Sequence, residues 1–447
     1  MPQPIVAIVG RPNVGKSTLF NKLVGERRAI VEDVPGTTRD RLYGTTEWSG
    51  HTFTIVDTAG ILPGEENDVN ASMAQIVRGT RAQAQLAIEE ADVIVFLVDT
   101  KEGITAADEE VADLLRRADK PVVLGANKAD SVQRAQNAVE FYSLGLGDPI
   151  PVSAYHGTGT GDLLDAIVAE LPEKVEADEE EYAVKIAIVG RPNVGKSSLL
   201  NKLLGFERVV VSDIPGTTRD TIDTVVEYAG NKILLIDTAG IRRSGKVERG
   251  IEKYSVLRAL RAIERADVAL LLIDATEGVT AQDTHVAGMV VEANKGIAIL
   301  VNKWDVVSKD NETFNNYTRS VRAALHFVPY APLLFISALT GQRVTDALEL
   351  ALEIEGERKT RISTSKLNTI LRDAVRDHPP TSIQKGAHLR IFYATQAQVD
   401  PPVFLFFTNA PEQIHFGYRR YLENRIRETH PFMGTPIILV FRGRDEE

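Results

Sequence analysis

Short apolar runs alternate with amphipathic segments along residues 1–356, and the whole alternation occurs twice. Runs of strand length stand at 5–9, 52–56, 92–98, 121–125 and 150–152, and again at 184–189, 232–236, 267–273, 297–301 and 333–336. Continuous apolar runs with helix-like segments between them are typical of parallel strands that are buried on both faces. The pattern predicts two tandem α/β domains, each a mostly parallel sheet with helices on both faces.

The pattern changes after residue 356 and predicts a small α+β module with the order α-β-β-α-β. A helix should begin after Ser363 and end at His378, because two prolines follow. The remaining elements are predicted as a strand at 388–396, a turn at 400–402, a strand at 403–409, a helix at 412–429 and a strand at 435–442.

An acidic stretch separates the two α/β copies. The sequence PEKVEADEEEY at 172–182 has six acidic residues, one lysine and one proline, which is typical of a solvated linker. A docking segment is the alternative reading. We therefore expect a first domain at 1–171, a linker at 172–183, a second domain at 184–356 and the C-terminal module at 357–447.

The sequence GRPNVGKS occurs at 10–17 and again, letter for letter, at 190–197. Each copy lies between an apolar run and an amphipathic segment, which is the strand–loop–helix context of a phosphate-binding P-loop. Glycines let the backbone turn sharply, and the loop N–H groups with the helix N-terminus favour an anion. Lys16 and Lys196 supply positive charge for the β- and γ-phosphates, and the hydroxyls of Ser17 and Ser197 are candidate Mg²⁺ ligands. A loop kept only for packing is the alternative, but packing gives lysine and serine no reason to recur together.

Further paired motifs place the rest of a magnesium–phosphate site. DTAGI occurs at 57–61 and 237–241, so that Asp57 and Asp237 end strands and open DxxG. In such folds this carboxylate reaches Mg²⁺, usually through water, and the glycine N–H meets the γ-phosphate. The segment DVPGTTRD at 33–40 matches DIPGTTRD at 213–220. In these segments we favour Thr38 and Thr218 over Thr37 and Thr217 as further Mg²⁺ ligands. A loop ordered by the γ-phosphate and released on hydrolysis is a switch.

The sequences NKAD at 127–130 and NKWD at 302–305 select the base. A carboxylate at Asp130 or Asp305 can accept hydrogen bonds from the N1–H and N2–H₂ edge of guanine, whereas adenine leaves it unpaired. The asparagines can bond N7 and brace the loop, and the lysines can lie over the ring. Ser-Ala pairs at 153–154 and 337–338 should support the same pocket.

These motifs define the candidate residues. The predicted catalytic residues are Lys16, Ser17, Thr38, Asp57, Gly60, Lys196, Ser197, Thr218, Asp237 and Gly240. The predicted Mg²⁺ ligands are Ser17, Thr38, Asp57, Ser197, Thr218 and Asp237. The predicted GTP-binding residues are Gly10, Arg11, Pro12, Asn13, Val14, Gly15, Lys16, Ser17, Asp57, Thr58, Ala59, Gly60, Ile61, Asn127, Lys128, Ala129, Asp130, Ser153, Ala154, Gly190, Arg191, Pro192, Asn193, Val194, Gly195, Lys196, Ser197, Asp237, Thr238, Ala239, Gly240, Ile241, Asn302, Lys303, Trp304, Asp305, Ser337 and Ala338.

Composition narrows the class of protein further. The chain of 447 residues has no cysteine, which excludes disulfides and thiolate chemistry and fits a reducing compartment. The N-terminus lacks the basic region of a signal peptide, and no apolar run approaches the ~20 residues of a membrane span. Net charge is −11, yet residues 358–444 carry 14 Lys and Arg against 6 Asp and Glu, a net +8. An acidic body with a basic C-terminal module favours a polyanionic partner for that module.

The motifs together resemble the Der (EngA) family of the Era/TrmE-like class, in which two GTPase domains precede a KH-like domain. The resemblance covers essentially the whole chain and includes GTTRD twice, PPVFLFFTNAPE, YRRYLENRIRE and GTPIIL. It implies a cytoplasmic, monomeric bacterial GTPase that uses GTP and Mg²⁺, has no membrane partner, and associates transiently with the large (50S) ribosomal subunit and its rRNA during assembly.

One departure from the pattern of Ras-like domains bears on the expected mechanism of hydrolysis. Ile61 and Ile241 stand where Ras-like domains have a glutamine that orients water, so intrinsic hydrolysis should be slow or assisted. The family resemblance implies K⁺ at Asn13 and Asn193, which would supply the charge of an arginine finger; the alternative is that each asparagine only braces its loop.

The C-terminal module has no GxxG loop, so RNA binding in the usual KH manner is not expected. Arg419, Arg420, Arg425 and Arg427 could contact rRNA, or could be a solvated surface that packs on the second GTPase domain, with Glu423 pairing at helical spacing.

The DTAGI copies are followed by unlike sequences at 62–73 and 242–253. This difference predicts that the two switch regions have unlike partners, and that the second switch region contacts RNA or the C-terminal module. Rival functions are an RNA-modification GTPase and a nucleotide sensor without useful turnover.

Overall fold

The structure is a computed structural model that describes residues 4–25, 43–58, 84–85, 87–88, 91–172, 182–206, 209–212, 223–238, 256–308, 312–380 and 389–443. The chain forms two compact units. One contains the first α/β domain, and the other contains the second α/β domain together with the C-terminal module. No helix in the described ranges is long and apolar enough to cross a membrane.

The described part of the first domain is a six-stranded sheet with its helices. Its elements are β1 Ile5–Val9, α1 Lys16–Gly25, β2 Tyr43–Trp48, β3 His51–Asp57, β4 Val93–Asp99, α2 Ala106–Arg116, β5 Val122–Asn127, α3 Val132–Gln136, a 3-10 helix Asn137–Leu144, β6 Ile150–Pro151 and α4 Thr160–Glu170. The strand order is β2-β3-β1-β4-β5-β6, and only β2, at the edge, pairs antiparallel. Strand β4 is buried along its full length because the sheet is covered on both faces.

The second domain repeats this plan. Its elements are β7 Val184–Val189, α5 Lys196–Leu204, β8 Val210–Ser212, β9 Thr224–Tyr228, β10 Asn231–Ile236, α6 Val256–Arg265, β11 Val268–Asp274, α7 Ala281–Glu292, β12 Gly296–Asn302, α8 Thr313–Ala324, β13 Leu333–Phe335 and α9 Asp346–Arg358. The sheet order is β13-β12-β11-β7-β10-β9-β8, with antiparallel pairing among β8, β9 and β10. The mostly parallel sheets confirm the predicted fold class.

The register of the central strands positions the functional loops. In the first domain Asp99 pairs with Asn127, and in the second Asp274 pairs with Asn302, each at the carboxyl end of its strand. Carboxyl ends of parallel strands meet at one edge of a sheet, which is where ligands bind in open α/β sheets. The phosphate loops leave β1 and β7 at the same edge.

The C-terminal module has the predicted order of elements, with several boundaries shifted; the strand predicted at 388–396, for example, spans Ile391–Gln398. It contains α10 Thr364–Asp377, β14 Ile391–Gln398, β15 Val403–Thr408, a 3-10 helix Pro411–Gln413, α11 Phe416–Thr429 and β16 Ile438–Arg442, in the sheet order β14-β15-β16. Ser363 caps α10 as predicted. The prediction that the second helix starts at Glu412 was wrong, because His415 is the cap and its ring accepts the N–H of Gly417 at 3.1 Å.

The strand predicted from residue 435 begins only at Ile438, because the preceding residues contact the second α/β domain. The N–H of Gly434 donates to the carbonyl of Tyr330 at 2.8 Å, and its carbonyl accepts the N–H of Ile297 at 2.7 Å. The guanidinium of Arg427 lies 4.3 Å from the centre of the Tyr330 ring. The module is therefore docked on the second domain by both main-chain and side-chain contacts.

The four arginines proposed as a basic face on α11 have different roles. Arg427 donates to Glu423 at 2.9 Å and to the carbonyls of residues 431, 432 and 435 of its own module at 3.0–3.2 Å, and its guanidinium faces the ring of Tyr330 in the second domain. Arg425 pairs with Asp377 and Glu428. Arg419 and Arg420 lie over the rings of Phe441 and Phe416, at 5.0 and 5.8 Å. Arg427 therefore takes the packing role rather than the rRNA role.

Candidate active sites

Each phosphate loop folds against the strand that carries the base motif. Gly15 and Gly195 adopt φ angles of +99° and +104°, which residues with side chains rarely adopt. A Cβ at either position would collide with the side-chain amide of Asn127 or Asn302. Gly15 and Gly195 are thus required both for their backbone angles and because the phosphate loop approaches the base loop closely.

The loop lysines are held by main-chain carbonyls. The ammonium of Lys16, which is 4% exposed, donates to the carbonyls of Gly10 at 2.6 Å and Arg11 at 2.9 Å. Lys196 repeats the contacts with Gly190 at 2.8 Å and Arg191 at 2.7 Å. Each charge is therefore fixed inside its own loop, where a phosphate would meet it.

The first domain brings two predicted magnesium ligands together. The hydroxyl of Ser17 donates to Oδ2 of the buried Asp57 at 2.5 Å. A hydroxyl and a carboxylate oxygen side by side fit a hard cation such as Mg²⁺, which prefers oxygen donors.

In the second domain the main chain of the matching aspartate bonds to a further carboxylate. Asp237 adopts a left-handed φ of +54°, and its N–H donates to Oδ1 of Asp223 at 2.9 Å, while Asp223 also pairs with Arg265. Tyr43 occupies the position of Asp223 in the first copy. Sequence reasoning missed Asp223 and Arg265, although aligning the copies on GTTRD exposes the difference between Asp223 and Tyr43.

Asn127 and Asn302 each join three loops. The amide of Asn127 donates to the carbonyl of Val14 at 2.6 Å, and its oxygen accepts the N–H of Ala154 at 3.0 Å. Asn302 repeats this with Val194 at 2.7 Å and Ala338 at 2.9 Å. The predicted bracing role is confirmed, while a contact with N7 of guanine stays a prediction.

The base-selecting aspartates lie beside the Ser-Ala loops. Oδ1 of Asp130 accepts the hydroxyl of Ser153 at 2.6 Å, and Oδ2 pairs with Arg134 at 3.1 Å. Within the described ranges, Oδ1 of Asp305 is buried without a hydrogen-bond partner. An unpaired buried carboxylate oxygen is costly, so its position suits a ligand that donates N–H groups.

The lysines of NKxD are held by ion pairs at the ends of neighbouring strands. Lys128 and Lys303 have φ angles of +65° and +62°, and their ammonium groups lie 2.5 Å from Asp99 and Asp274. Burial alone would raise the pKa of Asp274, but hydrogen bonds from Lys303 and Thr276 outweigh it and lower that pKa. The ring of Trp304, a predicted GTP-binding residue, packs 4.5 Å from that of Phe335 and belongs to the core behind the loop.

The side chains of Arg11 and Arg191 point to carboxylates that sequence reasoning missed. Arg11 reaches Glu102 at 2.6 Å and Asp108 at 3.3 Å, and Arg191 reaches Glu277 at 2.6 Å and Asp283 at 3.5 Å. The signal was present as DxxEGxTAxD, which occurs at 99–108 and again at 274–283. Below, the acidic bracket means Asp99, Glu102 and Asp108 in the first domain and Asp274, Glu277 and Asp283 in the second.

Several predicted residues lie outside the described ranges. They are Thr38, Ala59, Gly60, Ile61, Thr218, Ala239, Gly240 and Ile241, together with the segments at 62–73 and 242–253 and most of the linker. The roles assigned to them remain predictions.

Comparison with known proteins agrees with this geometry. A family model described as "50S ribosome-binding GTPase" matches residues 5–128 and again 185–303. A second model, "KH-domain-like of EngA bacterial GTPase enzymes, C-terminal", matches residues 361–442. GTPase Der of Herpetosiphon aurantiacus is 68% identical over 447 residues, which cover 100% of this chain and 98% of that relative. The chain belongs to the GTPase Der family.

Other Der relatives match over the same length. GTPase Der of Chloroflexus aggregans is 63% identical, covering 100% of this chain and 99% of the relative. GTPase Der of Thermomicrobium roseum is 57% identical over 448 residues, covering 100% and 97%. The chain is therefore a GTP-hydrolysing enzyme with two P-loop GTPase domains and a C-terminal KH-like domain.

Proposed function

We propose that this Der-family GTPase acts in assembly of the large ribosomal subunit, and that its switch regions control its association with rRNA or ribosomal particles. The observation that carries the proposal is the docking of the KH-like module on the second GTPase domain through Gly434 and Arg427. A module attached in this way can respond to the nucleotide state of its neighbour. Its net positive charge favours a polyanion as the partner.

Each domain hydrolyses GTP by attack of water on the γ-phosphate. We expect the ammonium groups of Lys16 and Lys196 to stabilise charge on the phosphates; their hydrogen bonds to the carbonyls of Gly10 and Gly190, which keep them inside the phosphate loops, support this role. Mg²⁺ would be held by Ser17, Thr38 and Asp57, and by the matching residues Ser197, Thr218 and Asp237. When bound, it neutralises charge on the β- and γ-phosphate oxygens.

We propose K⁺ as a second cation, at Asn13 and Asn193. Their φ angles of +64° and +63° give a conformational reason for asparagine, because it tolerates the left-handed region better than most residues. Conformation and K⁺ binding can be separated with Asn13→Gly and Asn193→Gly, since glycine keeps the backbone angle and removes the amide. Faster turnover in KCl than in NaCl, lost in these variants, is the expected result. Equal wild-type rates in both salts would contradict it.

We propose that RNA meets the KH-like module at the groove between α10 and the edge strand β14. This cavity of about 630 Å³ is lined by Asn368, Arg372 and Arg376, with Phe392 and Tyr393 beside them. The two aromatic side chains are 46% and 43% exposed, which suits stacking of unpaired bases. The pairing of Arg376 with Asp373 and Asp377 reduces its free charge, so stacking should contribute more than charge.

Sedimentation with purified 50S particles tests the proposal. We expect the full chain to pellet with particles in the presence of a non-hydrolysable GTP analogue and to remain in the supernatant with GDP. Tyr393→Ala with Arg372→Glu should weaken pelleting, and Asp162→Asn, an exposed change in the first domain, should not. Equal pelleting with both nucleotides would refute nucleotide control, and no pelleting would refute the ribosomal partner. Multiple-turnover phosphate release excludes a sensor without turnover.

A further inference from the structure

The acidic bracket contacts both loops that meet the nucleotide. At one end Asp99 pairs with Lys128 of the base loop at 2.5 Å. At the other end Glu102 and Asp108 pair with Arg11 of the phosphate loop. The second domain repeats all three pairs with closely similar distances.

The chain between the bracket carboxylates is itself tightly bonded. Gly103 turns with a φ of +72°, and its N–H donates to the carbonyl of Asp99 at 3.0 Å. Thr105 caps α2, and its N–H and hydroxyl both donate to Oδ2 of Asp108, at 3.0 and 2.7 Å. Gly278, Thr280 and Asp283 repeat this turn and capping box. The two ends of the bracket are therefore at a fixed separation.

The arginine connects the bracket to the catalytic lysine. The side chain of Arg191 is held by Glu277 and Asp283, and its carbonyl accepts the ammonium of Lys196 at 2.7 Å. Because two carboxylates bind the side chain of Arg191, the backbone of Arg191 has less freedom to rotate. Its carbonyl, which accepts the ammonium of Lys196, is therefore held in a fixed orientation. Arg11 stands in the same relation to Lys16.

Stability alone does not account for this arrangement. Asp108 and Asp283 are 1% and 0% exposed, and burial raises the pKa of both despite the hydrogen bonds they accept. Desolvation of a buried ion pair can exceed its Coulomb gain, so apolar side chains would stabilise such a position as well or better. Both domains nevertheless have the same charged arrangement, at the sheet edge where the base loop and the phosphate loop lie. This repetition indicates that the ion pairs serve to position those two loops.

We propose that the acidic bracket is a positioning element of both GTP sites. It sets the distance between the base loop and the phosphate loop, so that one guanine nucleotide satisfies both at once. Arg11 and Arg191 are positioning residues that act through the carbonyls holding Lys16 and Lys196, and Asp99 and Asp274 position the base loop through Lys128 and Lys303.

The test uses the full chain with Mg²⁺ and with the first site silenced by Asp130→Asn, so that guanine nucleotides report the second site. Binding of GTP is measured by calorimetry, and guanosine, which lacks phosphates, is measured by competition. Arg191→Gln should weaken GTP binding about 10- to 30-fold, from the loss of charge-assisted hydrogen bonds, and change guanosine binding less than about 2-fold. Arg191→Lys should recover part of the loss, because an ammonium can pair with one carboxylate. Arg319→Gln, at an exposed position in α8 of the same domain, is the matched control and should change the affinity for neither GTP nor guanosine.

Asp274→Asn, at the base-loop end of the acidic bracket, should weaken the binding of guanosine as well as the binding of GTP. Combined with Arg191→Gln, it should weaken GTP binding by less than the product of the two single effects, because cutting either end already frees the loops. A merely structural arginine would lower the unfolding midpoint and leave the ratio of GTP to guanosine affinity unchanged. That result, or a double variant equal to the product, would overturn the proposal.

Discussion

Asp305→Asn should convert the second nucleotide site from guanine to xanthine recognition. Oδ1 of Asp305 is buried without a hydrogen-bond partner among the described residues, so it is free to accept from the guanine edge. Asparagine keeps one acceptor and replaces the other oxygen with an NH₂ group, which then faces the donor N2–H₂ of guanine. Xanthine has a carbonyl at that position, so it accepts the new N–H.

The magnitude follows from the bonds that change. A hydrogen bond to a charged group contributes ~1.5–3 kcal/mol, and a buried donor left unpaired costs ~1–3 kcal/mol more. The sum is about 3–4 kcal/mol after partial relaxation, which weakens GTP binding by a factor of roughly 10² to 10³. Xanthosine triphosphate should gain a similar factor.

Calorimetry on the full chain with Mg²⁺ measures both the dissociation constant and the number of nucleotides bound. The wild type should bind two GTP molecules per chain, and Asp305→Asn should bind one GTP and one xanthosine triphosphate. Asp130→Asn is the matched variant in the first domain and should give the same exchange there, with Ser153 still donating to the asparagine oxygen. Two GTP molecules bound by Asp305→Asn with unchanged affinity would refute the assignment of the base pocket.

Three further changes test contacts that hold the sites and the module. Arg427→Met should lower the free energy of urea unfolding by ~2–4 kcal/mol because it leaves main-chain carbonyls unpaired, whereas Arg425→Met, which removes partly exposed ion pairs, should cost under ~1 kcal/mol. Unequal effects on tryptophan fluorescence curves would support this, and equal ones would contradict it. Asn302→Ala should weaken GTP binding at the second site by ~10- to 100-fold through loss of its two loop bonds, and calorimetry should find the first site unchanged. Asp223→Ala should reduce the Mg²⁺-dependent turnover of the second domain, measured on the full chain with the first site silenced by Asp130→Asn; Tyr43→Phe, at the matching position of the first domain, should leave that turnover unchanged, and unchanged turnover in Asp223→Ala would argue against the role of Asp223.

Tertiary contacts changed the interpretation of individual side chains. From the sequence, Arg11 and Arg427 are both interpreted as cations that could contact phosphate groups. In the structure, Arg11 instead pairs with Asp108 and Arg427 packs on the ring of Tyr330, and both partners are distant in sequence. The boundary at Ile438 also shifted, because Gly434 bonds to the second GTPase domain and Thr435 donates its N–H to the carbonyl of Phe432 and its hydroxyl to that of Ile354. Local propensity cannot report such contacts, since they depend on which surfaces meet.

The sequence by itself determined the duplicated α/β plan, the phosphate loops and the base motifs. Those features depend on short-range requirements: apolar periodicity for buried strands, glycine for a sharp loop, and lysine with serine for phosphate and magnesium. Only the tertiary structure decided that Asp99 and Asp108 flank the nucleotide edge from one turn, that Asp223 holds Asp237 in the second domain alone, and that the KH-like module docks through Gly434. The physical reason is that these are pairings of distant residues, and they become predictable only when the sheet register places the strand ends side by side.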